Sequence, residues 1–384
     1  MTGSRTIRLL HVVQNLNFGG MERLIAGMIQ HADRDQFDVH LLALGYLGHF
    51  SEGLDRFATL HVARPMSKLS MLRPSSLADD IRSIAPDVVH SHGGVWYKAS
   101  LAARMAGVPA VLHTDHGRRS PDPALHRFLD RRASSRTDVV VAVSERLGGQ
   151  LRHIVTDPSR IRVIPNGVDT DTYMPKGDDG VFRAAIGIPA DVPIIGSIGR
   201  LEHIKGYDLM IRAFAALQRS KTLATPRPVL VLIGDSADPA QRANLEQLAA
   251  ELGVSDSIRF LGWRSDVESA HRSFAFFTMS SRSEGTSVSL LEAMSAGLCP
   301  IVTDVGGNAA VLGPTLVHRL IPTESPDALA AAWEEALANS ERRATDATAA
   351  RRRVMDHFSL NAMVRSYEAA YQSLAARGAA TGSR

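Results

Sequence analysis

Short apolar runs separated by amphipathic helical stretches recur along the whole sequence, and this alternation limits the fold more than any other feature. Runs at residues 7–13, 38–44, 88–91, 110–114, 139–143 and 161–165 form one series. Runs at 193–198, 229–233, 258–261, 274–279 and 299–303 form a second. Runs this short and this apolar predict strands buried on both faces, and helices between them predict parallel pairing in a doubly wound α/β sheet. At 384 residues the chain exceeds the usual size of one hydrophobic core, so each series is expected to form its own domain. Residues 166–180 are rich in Asn, Asp, Gly and Pro and lack an apolar period. The expected order is a first domain over 1–170, a linker over 171–180 and a second domain over 181–357. A last helix follows over 358–375, and then a disordered tail over 376–384.

Composition excludes several classes. A single cysteine, Cys299, rules out an internal disulfide and favours a reducing compartment, where it reads as a small core residue. No apolar stretch has the length of a signal peptide or a membrane span, so a soluble, cytoplasmic chain is expected. The formal charge of +3 comes from the N-terminal half, but the basic residues are scattered and aromatics make up only 5%, which disfavours nucleic acid. Gly19-Gly20 follows the first apolar run without completing G-x-G-x-x-G, because Met21, Glu22 and Arg23 come next, so a nicotinamide cofactor is disfavoured. The pair still lets a ligand approach the backbone.

The stretch 280–307, SSRSEGTSVSLLEAMSAGLCPIVTDVGG, carries the strongest local signal. Glu284 sits in a loop with Gly285; Thr286 and Ser287 suit a helix cap; Val288 opens a helix that carries Glu292. The first amides of such a helix suit a phosphate. The loop carboxylate suits sugar hydroxyls, and the helix carboxylate suits a ribose diol.

The phrase, with its paired glutamates and double glycine, resembles the donor-site signature of the retaining glycosyltransferases of family 4. The resemblance runs nearly end to end, through Gly19-Gly20, His116-Gly117, Val143-Ser144, Ile164-Pro165-Asn166-Gly167-Val168-Asp169, Gly199-Arg200-Leu201, Lys205-Gly206 and Gly234-Asp235. It is strongest to sugar transferases of bacterial exopolysaccharide and exosortase systems. The fold implied is GT-B, two Rossmann-like doubly wound domains facing across a cleft. The activity implied is transfer of a hexose from a nucleoside-diphosphate sugar to a glycan, lipid-linked or small-molecule hydroxyl with retention.

By resemblance the catalytic set is His116, Arg200, Lys205 and Glu284. Arg200 and Lys205 neutralise the leaving diphosphate, the arginine through its fork and the lysine as a point charge, so no metal or other cofactor is expected. The donor-binding set is Gly19, Gly20, Gly199, Trp263, Arg264, Gly285, Thr286, Ser287, Val288 and Glu292, with backbone groups of Trp263 and Arg264 lining the base. His113 competes with His116 for the histidine role. His90 and His92 flank one residue after a strand, but no cysteine or carboxylate completes a metal set. A GT-B nucleotide-sugar 2-epimerase and an inactive nucleotide-sugar-binding subunit are the alternatives. Finally, Arg118, Arg119, Arg127, Arg131, Arg132 and Arg136 face only Asp122 and Asp130 over residues 117–136, where Leu125, Phe128 and Leu129 form a narrow stripe if Pro123 begins a helix. Such an element either packs on its sheet or rests on an anionic membrane.

Overall fold

The computed structural model describes residues 5–17, 19–66, 73–117, 123–236 and 238–382. Contacts divide the chain into two compact units, Met1–Gly167 with Leu360–Arg384, and Val168–Ser359.

The first unit holds a seven-stranded sheet, β1 (Ile7–Val13), β2 (Phe37–Ala43), β3 (Thr59–Val62), β4 (Val88–His92), β5 (Ala110–Asp115), β6 (Val139–Ala142) and β7 (Ile161–Val163). The order is β3-β2-β1-β4-β5-β6-β7 and every pairing is parallel. The chain winds outward on one side of β1 and then on the other, so β1 and β4 flank the point where the order reverses. On one face Leu9, Val13, Val88 and Leu112 pack with Met363 and Tyr367 of the C-terminal helix Leu360–Gly382. On the other, Leu10, Val12, Val89 and Val111 pack with Leu77, Ile81 and Ala99. Burial on both faces explains why these strands read as unbroken apolar runs.

The second unit holds β8 (Ile194–Ile198), β9 (Val229–Ile233), β10 (Ile258–Phe260), β11 (Phe276–Met279), β12 (Pro300–Thr303) and β13 (Leu320–Ile321) in the order β10-β9-β8-β11-β12-β13, again parallel. Here the order reverses between β8 and β11. Ligands of open parallel sheets bind beyond the carboxyl ends of the strands flanking such a reversal.

Three expectations require correction. Residues 171–180, expected as linker, belong to the second unit: Tyr173 is buried in its core, and Asp178 accepts hydrogen bonds from Arg183 and Ser273. Phe358, expected in the last helix, packs in the second unit, and its carbonyl accepts from the Val168 amide. The chain therefore crosses between units at Gly167–Val168 and Ser359–Leu360. The last helix continues to Gly382 in place of a tail from residue 376, because the alanine-rich sequence keeps helix propensity across Gly378.

Candidate active site

Three loops converge at the reversal point of the second sheet. One leaves β8 as Gly199-Arg200-Leu201 and turns through His203–Lys205 into the helix Tyr207–Arg219. Another leaves β11 as residues 280–287 and enters the helix Val288–Ser295. The third leaves β12 as residues 304–307.

Backbone bonds and glycines bind the three together. The Arg282 amide donates to the Ile204 carbonyl, and the Gly307 amide donates to the Gly285 carbonyl. Gly206 has φ 66° and Gly306 has φ 57°; a Cβ would lie 2.1 Å from the Ser280 oxygen in the first case and 1.9 Å from the Glu284 oxygen in the second. Only glycine fits both the dihedral and the gap.

This framework brings Lys205 and Glu284 together. Lys205 Nζ donates to Glu284 Oε1 at 2.7 Å, and Ser281 Oγ donates to the same oxygen at 2.7 Å. The Glu284 side chain is largely withdrawn from water, so the carboxylate stands fixed beside one cation. Arg200 lies on the exposed rim and pairs with Glu202 at 2.9 Å. Ser287 caps the helix by accepting from the Leu290 amide at 3.4 Å. Thr286 and Ser287 are buried, and Glu292 is only 3% exposed and so is not a solvated side chain. Gly199 donates to the Ile233 carbonyl and accepts from the Tyr207 hydroxyl at 3.0 Å. Beyond β10, the Gly234 amide donates to the Gly262 carbonyl, which sets the chain direction into Trp263 and Arg264. The Arg264 guanidinium forks onto Asp266 at 2.8 and 2.6 Å.

In the first unit Gly19 precedes the helix Gly20–Gln30, which begins beyond β1. His116 follows β5. Its Nε2 shares a 3.3 Å hydrogen bond with His92 Nδ1, and its Nδ1 is buried with no hydrogen-bond partner. Burial pushes its pKa down to about 4, so the ring is neutral at physiological pH. His113 is committed to structure: Nδ1 bonds Ser91 Oγ at 3.0 Å and the ring stacks on Trp96 at 4.2 Å. No cysteine or carboxylate joins His90 and His92, but β1 places His11 beside them. Asn166-Gly167-Val168-Asp169 forms the crossing between units, with Asp169 accepting from the Asp171 and Thr172 amides in a local turn. Burial pushes the Cys299 thiol up to about 12, in keeping with a core residue.

Residues 18–172 match the family described as Glycosyltransferase Family 4, and residues 178–353 match Glycosyl transferases group 1. A D-inositol 3-phosphate glycosyltransferase of Gordonia bronchialis is 30% identical over 76% of this chain and 68% of its own length. The chain belongs to glycosyltransferase family 4. A UDP-Gal:alpha-D-GlcNAc-diphosphoundecaprenol alpha-1,3-galactosyltransferase of Escherichia coli is 26% identical to the transferase over 79% of the chain and 80% of the relative. The structure of Anabaena Alr3699/HepE in complex with UDP and glucose superposes with a TM-score of 0.84 at 20% identity, covering 96% of the transferase and 100% of that chain. The fold of the transferase is GT-B.

Two supports of these loops were not legible in the sequence. Arg282 donates to both Asp208 oxygens at 2.8 Å, to Glu324 at 2.7 Å and to the His203 carbonyl at 2.8 Å, fastening the Glu284 loop to the Lys205 loop. Tyr207, buried beneath the Gly199 turn, holds its carbonyl. Both depend on residues far apart in sequence, and Arg282 sits in a serine-rich loop with no charge pattern to mark it.

Proposed function

We propose that the transferase moves a hexose from a nucleoside-diphosphate sugar onto a hydroxyl of a glycan, lipid-linked or small-molecule acceptor, with retention of anomeric configuration, in synthesis of a cell-surface polysaccharide or glycolipid. The observation that carries this reading is the Lys205–Glu284 pair held at the reversal point of the second sheet, at the mouth of the capped helix that bears buried Glu292. Lys205 and Arg200 contact the diphosphate, and the amides of Thr286, Ser287 and Val288 add the partial charge of the helix N-terminus. Glu284 accepts hydrogen bonds from hexose hydroxyls and Glu292 from the ribose diol. Gly285 lets the sugar approach the main chain.

In the step itself the bond from the anomeric carbon to the leaving phosphate oxygen breaks as the acceptor oxygen forms its bond on the same face. The acceptor proton passes to the departing phosphate, whose charge Arg200 and Lys205 stabilise. A uridine donor is supported by the UDP-Gal donor of the Escherichia coli relative and by the UDP in the Anabaena structure. Incubating the protein with UDP-, GDP- and ADP-sugars without acceptor should release sugar from one nucleotide class; release from none would overturn the reading. Because side chains and amides neutralise the diphosphate, activity is expected to persist when excess EDTA is added to the assay. Loss of activity restored by Mg2+ or Mn2+ would contradict a metal-free donor site.

The division of labour between the two glutamates gives a further expected result. Glu292→Gln should weaken binding of free nucleoside diphosphate, whereas Glu284→Gln should leave it near wild type and impair sugar transfer. Titration calorimetry with UDP distinguishes them, and equal losses would merge the roles.

A lipid-linked acceptor is favoured by the helix Ala124–Ser134. Leu125 is 64% and Phe128 54% exposed, so this stripe does not pack on the sheet as an ordinary amphipathic helix would; Arg132 lies over the Phe128 ring at 5.1 Å, with Arg127 and Arg131 beside it. Arg118, Arg119 and Asp122 lie outside the described residues. Among the described residues no helix is long and apolar enough to cross a membrane. Exposed apolar groups ringed by arginines suit peripheral contact with the anionic inner face of a cell membrane, each cation contributing about 1 kcal/mol. Sedimentation with anionic liposomes should fall as salt rises and when Arg127, Arg131 and Arg132 become glutamate. No binding at low salt would exclude the membrane.

A further inference from the structure

Three histidines meet inside the first unit, in the other unit from the Lys205–Glu284 loops, and one of them, His92, shares a hydrogen bond with His116. His11 on β1 stands directly opposite His90 on β4 in the parallel register, and His92 lies two residues further along β4, so all three project from the same face. All are buried, in a layer otherwise filled by Leu9, Val13 and Leu112 and covered by the C-terminal helix. One nitrogen from each lies within 4.8 Å of the others, and His11 Nδ1 is 3.0 Å from His92 Nε2.

We infer that His11, His90 and His92 bind one divalent late first-row metal ion of the zinc type, which ties β1 and β4 together beneath the C-terminal helix. Imidazole nitrogens at zinc stand about 2.0–2.1 Å from the ion, which puts ligand nitrogens roughly 3.3 Å apart in a tetrahedral site. The His11 and His92 nitrogens stand at 3.0 Å, near this spacing, and the third lies within 4.8 Å. Two of the ligands already have the outer partners that orient a ligating imidazole. His90 bonds the Tyr371 hydroxyl through Nδ1 at 2.7 Å and Thr114 Oγ1 through Nε2 at 2.8 Å, so that whichever nitrogen takes the ion, the other keeps a partner. His92 Nδ1 meets His116 Nε2. A small cavity of about 10 Å3, enough for about one water, adjoins His11 but is not lined by His90 or His92. The sequence offers only His90 and His92 as neighbours; the third ligand comes from cross-strand register.

The test uses the full chain without an affinity tag, stripped with chelator, dialysed, and titrated with ZnCl2 in competition with a chromophoric zinc chelator. One equivalent per chain is expected. His11→Asn and His92→Asn should each abolish it while the far-ultraviolet circular dichroism is unchanged. His61→Asn, which breaks the separate His40–His61 pair, should retain it. No tight equivalent in the unaltered chain, or its loss in His61→Asn alone, would overturn the inference. Because a buried histidine variant can fail to fold, Co2+ added to the stripped unaltered chain gives a second reading. Intense visible bands of a four- or five-coordinate nitrogen-ligated ion are expected, and the weak spectrum of hydrated Co2+ would overturn the site.

Discussion

Replacing Arg200 or Lys205 with alanine is expected to lower turnover by about 2 to 4 kcal/mol of transition-state stabilisation, roughly 30- to 1000-fold, the scale of a lost charge-stabilising donor. Each removal leaves charge on the departing diphosphate uncompensated. Folding should change far less. Arg200 is exposed and pairs with Glu202, an arrangement that contributes about 0 to 1 kcal/mol. Lys205 is more enclosed, but Glu284 keeps its hydrogen bond from Ser281 when the lysine is removed. Steady-state kinetics alongside thermal melts separate the two effects. Near-wild-type rates in either variant would remove that residue from the clamp.

Gly306→Ala is expected to cost activity although the residue bears no chemistry. At φ 57° an added Cβ lands 1.9 Å from the Glu284 carbonyl oxygen, and backbone cannot swing away as a flexible side chain would. The loop must shift, taking with it the carboxylate that Lys205 and Ser281 hold. A displacement of about 1 Å at a catalytic group can cost 10²-fold, and a strained left-handed dihedral adds about 1–3 kcal/mol of instability. Gly53→Ala is the comparison: its φ is also positive, at 74°, but nothing lies within 4 Å of the added atom. Kinetics and denaturant melts of both variants should show a loss of activity only for Gly306. Equal behaviour would mean that the close approach does not position Glu284.

How much of this was legible depended on where the information lies. Strands such as Val229–Ile233, buried on both faces, announce themselves as apolar runs, and their boundaries were readable to within two residues. Thr59–Val62 did not, because an edge strand with exposed ends carries no such run, and Leu320–Ile321 is too short to form one. The donor loops were readable because glycines and charges crowd into two short segments. Their internal geometry was not: the Lys205–Glu284 pair joins residues on different loops, and the Arg282 anchor requires knowing that β8 and β11 are neighbours. His11 was hidden for the same reason. It sits in an ordinary apolar strand, and only the pairing of β1 with β4 sets it against His90.

The anomeric configuration of the product tests most directly the retention proposed for transfer at the Arg200, Lys205 and Glu284 loops. Proton NMR of the sugar released or transferred from an α-linked nucleotide donor, recorded before mutarotation, is expected to show the α anomer first. Initial appearance of the β anomer would contradict the account, because it would require attack from the face opposite the diphosphate.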